Sequence, residues 1–491
     1  MEGNGSARIG VFGCGCWFYW DQFPGLRDRL VAHQGFFEDR LRQEGAAVVS
    51  AGLVDTPPAA VAAGERFRQL GVDFLFCYMS TYAMSSTVLP VVQRAGVPMV
   101  IISLQPTRAM DYEHATTFMQ LEHDNQTSLP EVCNALIRAG IEIPGMVVGT
   151  LHDEASWRRV LDWCRVARAY ATVREATIGV MGHVYEGMLD MNSDPTMFDG
   201  QFGMHCQHLE LDDLHERVAA VAEHEQEVKL EEIRAAFHFP PPGSDPIAGP
   251  VSPEDLAWSA KVACGLDRLV EDFGLTGLAY YYRGVSGNAN ERLGASLIVG
   301  SSLLIGQGVP IAGELDIKTC VAMLMLDRLG AGGSFAEIHP CDFDNDIVLV
   351  GHDGPHHIAL AQGKPVLRGL GIYHGKRGSG VSVEFQLKHG PITCVGLTQT
   401  HDGRFKLVLA EGESLPGRIP ATGNTNTRGR FPPDVSGFIE NWSLEGPTHH
   451  FALGLGHVAH LVEGLARCWD IECVDVTEPG YRRPPPGRKS R

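Results

Sequence analysis

A chain of 491 residues is too long for one hydrophobic core and divides into about two to four domains. With 44% hydrophobic and 20% charged residues, it has the make-up of a folded, water-soluble protein and not of a disordered one. Its formal net charge of -19 argues against nonspecific binding to nucleic acid or to an anionic membrane. Twelve cysteines are scattered without a regular framework, and no basic-then-apolar leader opens the sequence. Together these features read as reduced thiols in a cytoplasmic protein. No apolar run reaches the roughly 18 residues of a membrane span.

The first third alternates short apolar runs with amphipathic stretches. Ile9-Gly10-Val11-Phe12, Phe74-Leu75-Phe76-Cys77, Met99-Val100-Ile101-Ile102 and Met146-Val147-Val148-Gly149 read as strands, with helices over 59–70, 88–95 and 152–169. That alternation predicts a doubly wound parallel sheet over residues 1–172. The glycines at 10, 13 and 15 have neither dinucleotide nor Walker spacing and read as a plain strand-to-loop turn. Cys14 and Cys16 read as buried thiols, because a zinc ribbon needs a second pair.

A second α/β unit, over 173–325, opens at Ala176-Thr177-Ile178-Gly179-Val180-Met181. One long acidic helix is predicted over 211–236, then a surface loop at Pro240-Pro241-Pro242-Gly243-Ser244-Asp245-Pro246, a helix over 253–273 and a strand at Gly277-Leu278-Ala279-Tyr280-Tyr281-Tyr282. After about residue 325 the texture changes. Residues 381–387, 392–397 and 405–409 alternate apolar and polar side chains between glycine-rich turns, which predicts an antiparallel, barrel-like sheet over 326–478. A helix over 458–468 follows. The expected fold class is therefore α/β: N-terminal and middle doubly wound, Rossmann-like parallel-sheet domains with a C-terminal antiparallel β-barrel-like domain. The basic, proline-containing segment 479–491 is expected to be a disordered tail.

Four residues are candidates for the chemistry, although taken singly Glu337 and His352 also read as a solvated loop acid and a loop histidine, and His449-His450 as a surface pair. Glu314 precedes a helix whose N-cap is Asp316 and whose stop is Gly330,. A carboxylate there can also serve only as a partner for the helix dipole. Glu337 follows the turn Gly332-Gly333-Ser334 in a stretch expected to be a loop, and His352 sits just past the end of the strand Ile347-Val348-Leu349-Val350. His449 and His450 are adjacent; on an extended segment they would face opposite ways, leaving one to ligate. Two carboxylates with two imidazoles suit a divalent cation such as manganese, and carboxylates beside a cation can also move protons. Asp342, Asp344 and Asp346 are candidates to support those ligands from behind. Arg283, after three tyrosines, can read a hydroxyl or an anion, or stack on a neighbouring ring. No Gly-x-Ser-x-Gly elbow and no His-Glu-x-x-His helix is present,.

From about Gly313 to Val476 the chain resembles the L-arabinose isomerase family, related more distantly to L-fucose isomerases. Gly313-Glu314-Leu315-Asp316-Ile317-Lys318-Thr319 is similar to that family's Gly-Glu-Gly-Asp-Trp-Lys-Thr. Ser334-Phe335-Ala336-Glu337 with Asn345-Asp346-Ile347-Val348-Leu349-Val350-Gly351-His352 resembles its second glutamate and first histidine segment, and Thr448-His449-His450 its His-His signature. Phe118-Met119 with Asn125-Gln126-Thr127 resembles its Phe-Met-Asn-Leu-Asn-Gln-Thr segment.

The resemblance implies that Glu314, Glu337, His352 and His450 bind manganese or a similar cation (cobalt or magnesium). Both glutamates would shuttle a proton between C1 and C2 of an open-chain aldose through a cis-enediol. Gln126, Arg283 and His449 would face the sugar. The resemblance further implies a homo-oligomer, a trimer or hexamer, with active sites shared between subunits. Departures concentrate around the ligands: Leu315 and Ile317 replace Gly and Trp, Ile338-His339-Pro340-Cys341 replaces Asp-Tyr-Thr-Tyr, Leu129 stands where a histidine is expected, and Tyr280-Tyr281-Tyr282-Arg283 replaces Thr-Thr-Thr-Phe. An isomerase with an altered substrate pocket is the expectation. A metal-dependent sugar epimerase on the same scaffold and a non-catalytic sugar-binding protein are the alternatives.

Overall fold

The apolar runs of the first third become strands β1 (Arg8–Cys14), β2 (Ala47–Val54), β3 (Phe74–Met79), β4 (Met99–Gln105) and β5 (Met146–Thr150). The structure is a computed structural model describing residues 7–244, 249–282, 287–369, 380–420 and 425–482. Arg283, the end of the proline loop at 245 and 246, and the basic tail beyond residue 482 lie outside the described residues. The five strands form a parallel sheet in the order β2-β1-β3-β4-β5. All six residues of β3 are buried, because helices cover both faces of such a sheet and leave no polar side. This unit comprises Met1–Thr172 and is completed by Leu461–Asp470. Cys14 and Cys16 are buried free thiols, with Cys14 Sγ 3.2 Å from Cys77 Sγ.

The other unit comprises Val173–His460 and Ile471–Arg491. Its parallel sheet has the order β7-β6-β8-β9, built from β6 (Thr177–Gly182), β7 (His205–Leu209), β8 (Gly277–Tyr281) and the short β9 (Ile311–Ala312). The single acidic helix expected over 211–236 is two helices, Leu211–Ala219 and Glu223–Ala236. The break is a capping interaction: Glu225 Oε2 accepts from the Ala222 N–H at 2.8 Å, and Arg268 grips the same carboxylate at 2.7 and 2.8 Å,.

The C-terminal strands are β10 (Ser334–Asp342), β11 (Ile347–His352), β12 (Val366–Gly369), β13 (Val381–Glu384), β14 (Gly390–Gln399), β15 (Phe405–Leu415), β16 (Thr425–Arg430), β17 (Phe451–Leu455) and β18 (Glu472–Asp475). Six of them close into an antiparallel barrel, β14-β17-β10-β11-β16-β15, with β15 returning to β14 along its length. Closure removes the open edges a flat sheet would present. The run at 381–387 does not join the ring; β13 pairs with β12 in a separate hairpin. Ala336, Val348, Val350, Cys394, Val408 and Phe451 share one apolar cluster. Alternation therefore sets Phe335, Glu337 and His339 on the opposite face of β10. Every residue from Ile317 to Leu326 in the helix Ile317–Arg328 is buried. Among the described residues no helix is long and apolar enough to cross a membrane.

Candidate metal centre

Glu314 sits directly beyond β9, where two consecutive non-glycine residues, Glu314 (φ 56°) and Leu315 (φ 58°), are left-handed. Each such residue costs on the order of 1–2 kcal/mol. Backbone bonds hold the turn: Leu315 N–H donates to Tyr280 O at 3.1 Å, Asp316 N–H to Gly313 O at 3.0 Å, and Tyr185 N–H to Glu314 O at 3.3 Å. Leu315 occupies the position where the similar family has glycine, and it takes the glycine-like conformation regardless.

Asp316 caps the next helix as expected, accepting from Thr319 N–H at 3.0 Å. Its other oxygen accepts from Thr319 Oγ1 at 2.8 Å and lies 3.3 Å from His450 Nδ1. A carboxylate can only accept, so His450 carries its proton on Nδ1 and turns Nε2 the other way. That nitrogen is 3.7 Å from Glu314 Oε2. Both atoms are buried and have no hydrogen-bond partner among the described residues.

Glu337 corrects one expectation. It lies within β10, paired with Gly351, and not in a loop. Glycine is needed opposite it, since a Cβ at 351 would lie 1.6 Å from the Thr425 carbonyl. Glu337 Oε1 is 4.0 Å from His352 Nε2 and 3.8 Å from His339 Nε2. The Phe335 ring packs 4.7 Å from the His352 ring and 4.3 Å from the His450 ring, walling the centre on its apolar side.

The ligand candidates thus form two overlapping triads, Glu337/His352/His450 and Glu314/His449/His450, each with ligand atoms within 4.8 Å of one another. His449 and His450 do not face opposite ways. A bend at 449 brings their rings to 3.8 Å, so alternation along an extended strand does not apply. The supporting acids also differ from expectation. Asp342 accepts from Asn345, and Asp346 from Val435 N–H. Asp316 backs His450, and Asp353 Oδ1 lies 3.3 Å from His352 Nδ1. Gln126 belongs to the first unit, in the turn before the helix Leu129–Arg138, where its carbonyl accepts from Leu129 N–H at 3.1 Å.

Electrostatics agree with a cation-seeking cluster. Burial raises the Glu314 carboxyl above the ordinary carboxylate value, an effect the His450 imidazole only partly offsets. Burial would also raise Asp316, but the hydrogen bond and charge of His450 outweigh it and hold that carboxyl low. Burial disfavours an imidazolium at His450, yet Asp316, Glu314 and Glu337 hold its pKa above the ordinary value. A proton on His450 thus stands where a divalent cation fits, and the two compete for Nε2. Two carboxylates and two imidazoles, with Glu314 Oε2 and His450 Nε2 lacking a hydrogen-bond partner among the described residues, are a donor set for such an ion. Asp190 and Asp353 carry no local signal in the sequence, and Lys318 stands out only as part of the run Gly313–Thr319; only 1% exposed, it donates to Asn192 O at 3.1 Å and Ser193 Oγ at 2.9 Å, more than a hundred residues away.

Within the second unit, two carboxylates and two imidazoles thus gather from the turn beyond β9, from β10 and β11 of the barrel, and from the segment before β17. Residues 332–472 match the family described as the L-arabinose isomerase C-terminal domain. The chain is 25% identical over 386 residues to L-arabinose isomerase of Aeromonas hydrophila subsp. hydrophila, covering 77% of this chain and 75% of that protein. It is 24% identical over 414 residues to L-arabinose isomerase of Aeromonas salmonicida, covering 82% and 81%. To that of Serratia proteamaculans it is 24% identical over 354 residues, covering 69% and 68%. Over most of its length the chain is thus similar to the L-arabinose isomerases as a divergent relative, and residues 332–472 carry the match to their C-terminal domain.

Proposed function

We propose that this protein is a metal-dependent isomerase that interconverts an open-chain aldose and its 2-ketose, with a substrate pocket altered from that of the L-arabinose isomerases. The carrying observation is the pair of buried atoms Glu314 Oε2 and His450 Nε2, 3.7 Å apart beside Glu337 and His352 and without a hydrogen-bond partner among the described residues. In this reading Glu314, Glu337, His352 and His450 hold the ion, with manganese preferred. When bound, a divalent cation would polarise the sugar oxygens and offset charge that develops as the C2 proton leaves. Glu314 and Glu337 take the proton from C2 and return it to C1 through a cis-enediol. The raised carboxyl of Glu314 brings one of them nearer the range where a carboxyl group both accepts and gives up a proton. Phe335, against both imidazole rings, keeps water from that side.

The altered pocket rests on His339. It stands where the similar family has tyrosine, with its Nε2 buried 3.8 Å from Glu337 Oε1 and without a hydrogen-bond partner among the described residues. That nitrogen suits a sugar bearing a polar group at the matching position. The assembly in this reading is a homo-oligomer with shared sites. The decisive test is incubation of the manganese-loaded protein with pentoses and hexoses in deuterated water. Deuterium at C1 or C2 with ketose formed supports the reading. An aldose epimer in place of ketose, or no exchange with any sugar, overturns it.

A further inference from the structure

We propose that Asp190 is a positioning residue that acts through His449. A single oxygen, Asp190 Oδ2, accepts from both the backbone N–H of His449 at 2.9 Å and its ring Nδ1 at 2.7 Å. Because the carboxylate has no proton to give, the ring proton of a neutral His449 stays on Nδ1 and Nε2 carries a lone pair. That Nε2 is buried and has no hydrogen-bond partner among the described residues. The surroundings explain what it awaits. With Glu314, Glu337, His352 and His450 holding the ion in the proposed reading, the two glutamates are ionised acceptors that cannot satisfy a further acceptor. An open-chain polyhydroxy substrate brings hydroxyl donors into this space, and His449 Nε2 receives one of them.

Asp190 can do this because its segment is anchored to the elements that carry the site. Tyr185 N–H donates to the Glu314 carbonyl at 3.3 Å. Lys318, from the helix after Glu314, holds Asn192 O and Ser193 Oγ. Asp190 lies between these two ties, so the strap fixes the carboxylate against His449 and with it the tautomer. A histidine of the other tautomer would present an N–H to the substrate, and one hydroxyl would lose its acceptor.

The inference rests on the isomerase reading, and its test separates the two. Manganese-loaded wild-type, D190N, D190E, H449A and D190N/H449A proteins are compared for Mn2+ affinity by calorimetry and for kcat and KM with the accepted aldose and its monodeoxy analogues. The side-chain amide introduced by D190N can donate to the ring and favours the wrong tautomer. D190N is expected to lower kcat/KM about 10–100-fold, as loss of an orienting partner does, while Mn2+ affinity stays within about threefold of wild type. D190E recovers part of the loss, and the double variant is no worse than H449A alone. For one monodeoxy sugar, wild type and D190N turn over alike, since the hydroxyl that His449 receives is gone. Unchanged turnover in D190N, additive losses in the double variant, or a fall in Mn2+ affinity matching the fall in turnover overturns the role of Asp190. Absence of exchange in the wild type overturns the isomerase reading itself.

Discussion

Asp316 Oδ2 and His450 Nδ1 lie 3.3 Å apart although 134 residues separate them in sequence. The contact joins the turn that carries Glu314 to the barrel strand that follows His450. It makes a helix cap double as the orienting group of a metal ligand. Asn caps a helix about as well as Asp but can donate to Nδ1. D316N is therefore expected to leave the helix intact and to weaken Mn2+ binding about 10–100-fold. Titration calorimetry on the metal-free protein measures this; unchanged affinity would show that Asp316 serves the helix alone.

Glu337 holds its carboxylate by β-sheet register, opposite Gly351, so its replacement by Gln keeps the backbone pairing. At saturating Mn2+, E337Q is expected to slow deuterium exchange at C1 and C2 by about 10²- to 10⁴-fold, with an unaltered circular dichroism spectrum. Substantial residual exchange places the base elsewhere.

Leu315 sets two effects against each other. Glycine there relieves a left-handed strain of about 1–2 kcal/mol. It also removes a side chain only 6% exposed, whose burial contributes about 1.5–3 kcal/mol, and adds backbone entropy to the unfolded chain. Burial and entropy together win, so L315G is expected to lower Tm in differential scanning calorimetry. A rise in Tm would mean that strain dominates the turn.

Away from the metal centre, Asp327 faces His357 at 3.4 Å and Arg328 beside it. Burial would raise its carboxyl, but the hydrogen bond from His357 and the charge of Arg328 outweigh it and hold it below the ordinary value. A depressed folded-state pKa contributes stability that is present above the unfolded value of about 3.9 and fades as pH falls through the folded one. The Tm advantage of wild type over D327N is therefore expected to hold near neutrality and to shrink below about pH 4. A gap constant down to pH 2 would contradict this origin.

Much of this architecture is legible in the sequence. Buried parallel strands write themselves as apolar runs, as Phe74–Met79 does. The four candidate ligands stand out because each sits in a short, distinctive segment and the segments keep one order. What escapes is whatever depends on distant partners. Asp190 meets His449 across 259 residues, and no local pattern announces such a contact. Glu337 reads as loop because Gly332 and Gly333 precede it and Pro340 follows, yet pairing of its strand with β11 and β17 makes it strand. The histidine pair defies the alternation rule because a local bend sets the two rings. Barrel closure rests on β14 meeting both β15 and β17, a relation between segments that propensity does not encode.

The first unit draws its last piece, Leu461–Asp470, from near the end of the chain. There Trp469 lies against Tyr170 at 5.1 Å, and Gly464 leaves room for the Trp163 ring, which a Cβ would approach to 3.1 Å. During synthesis, then, residues 7–172 wait with an apolar aromatic flank uncovered until the stretch 461–470 has also left the ribosome. A fragment of residues 1–172 made alone is expected to bind a hydrophobic dye and to aggregate, and a well-behaved monomeric fragment would refute this dependence. A truncation before residue 461 is thus felt in residues 7–172, far from the cut in sequence.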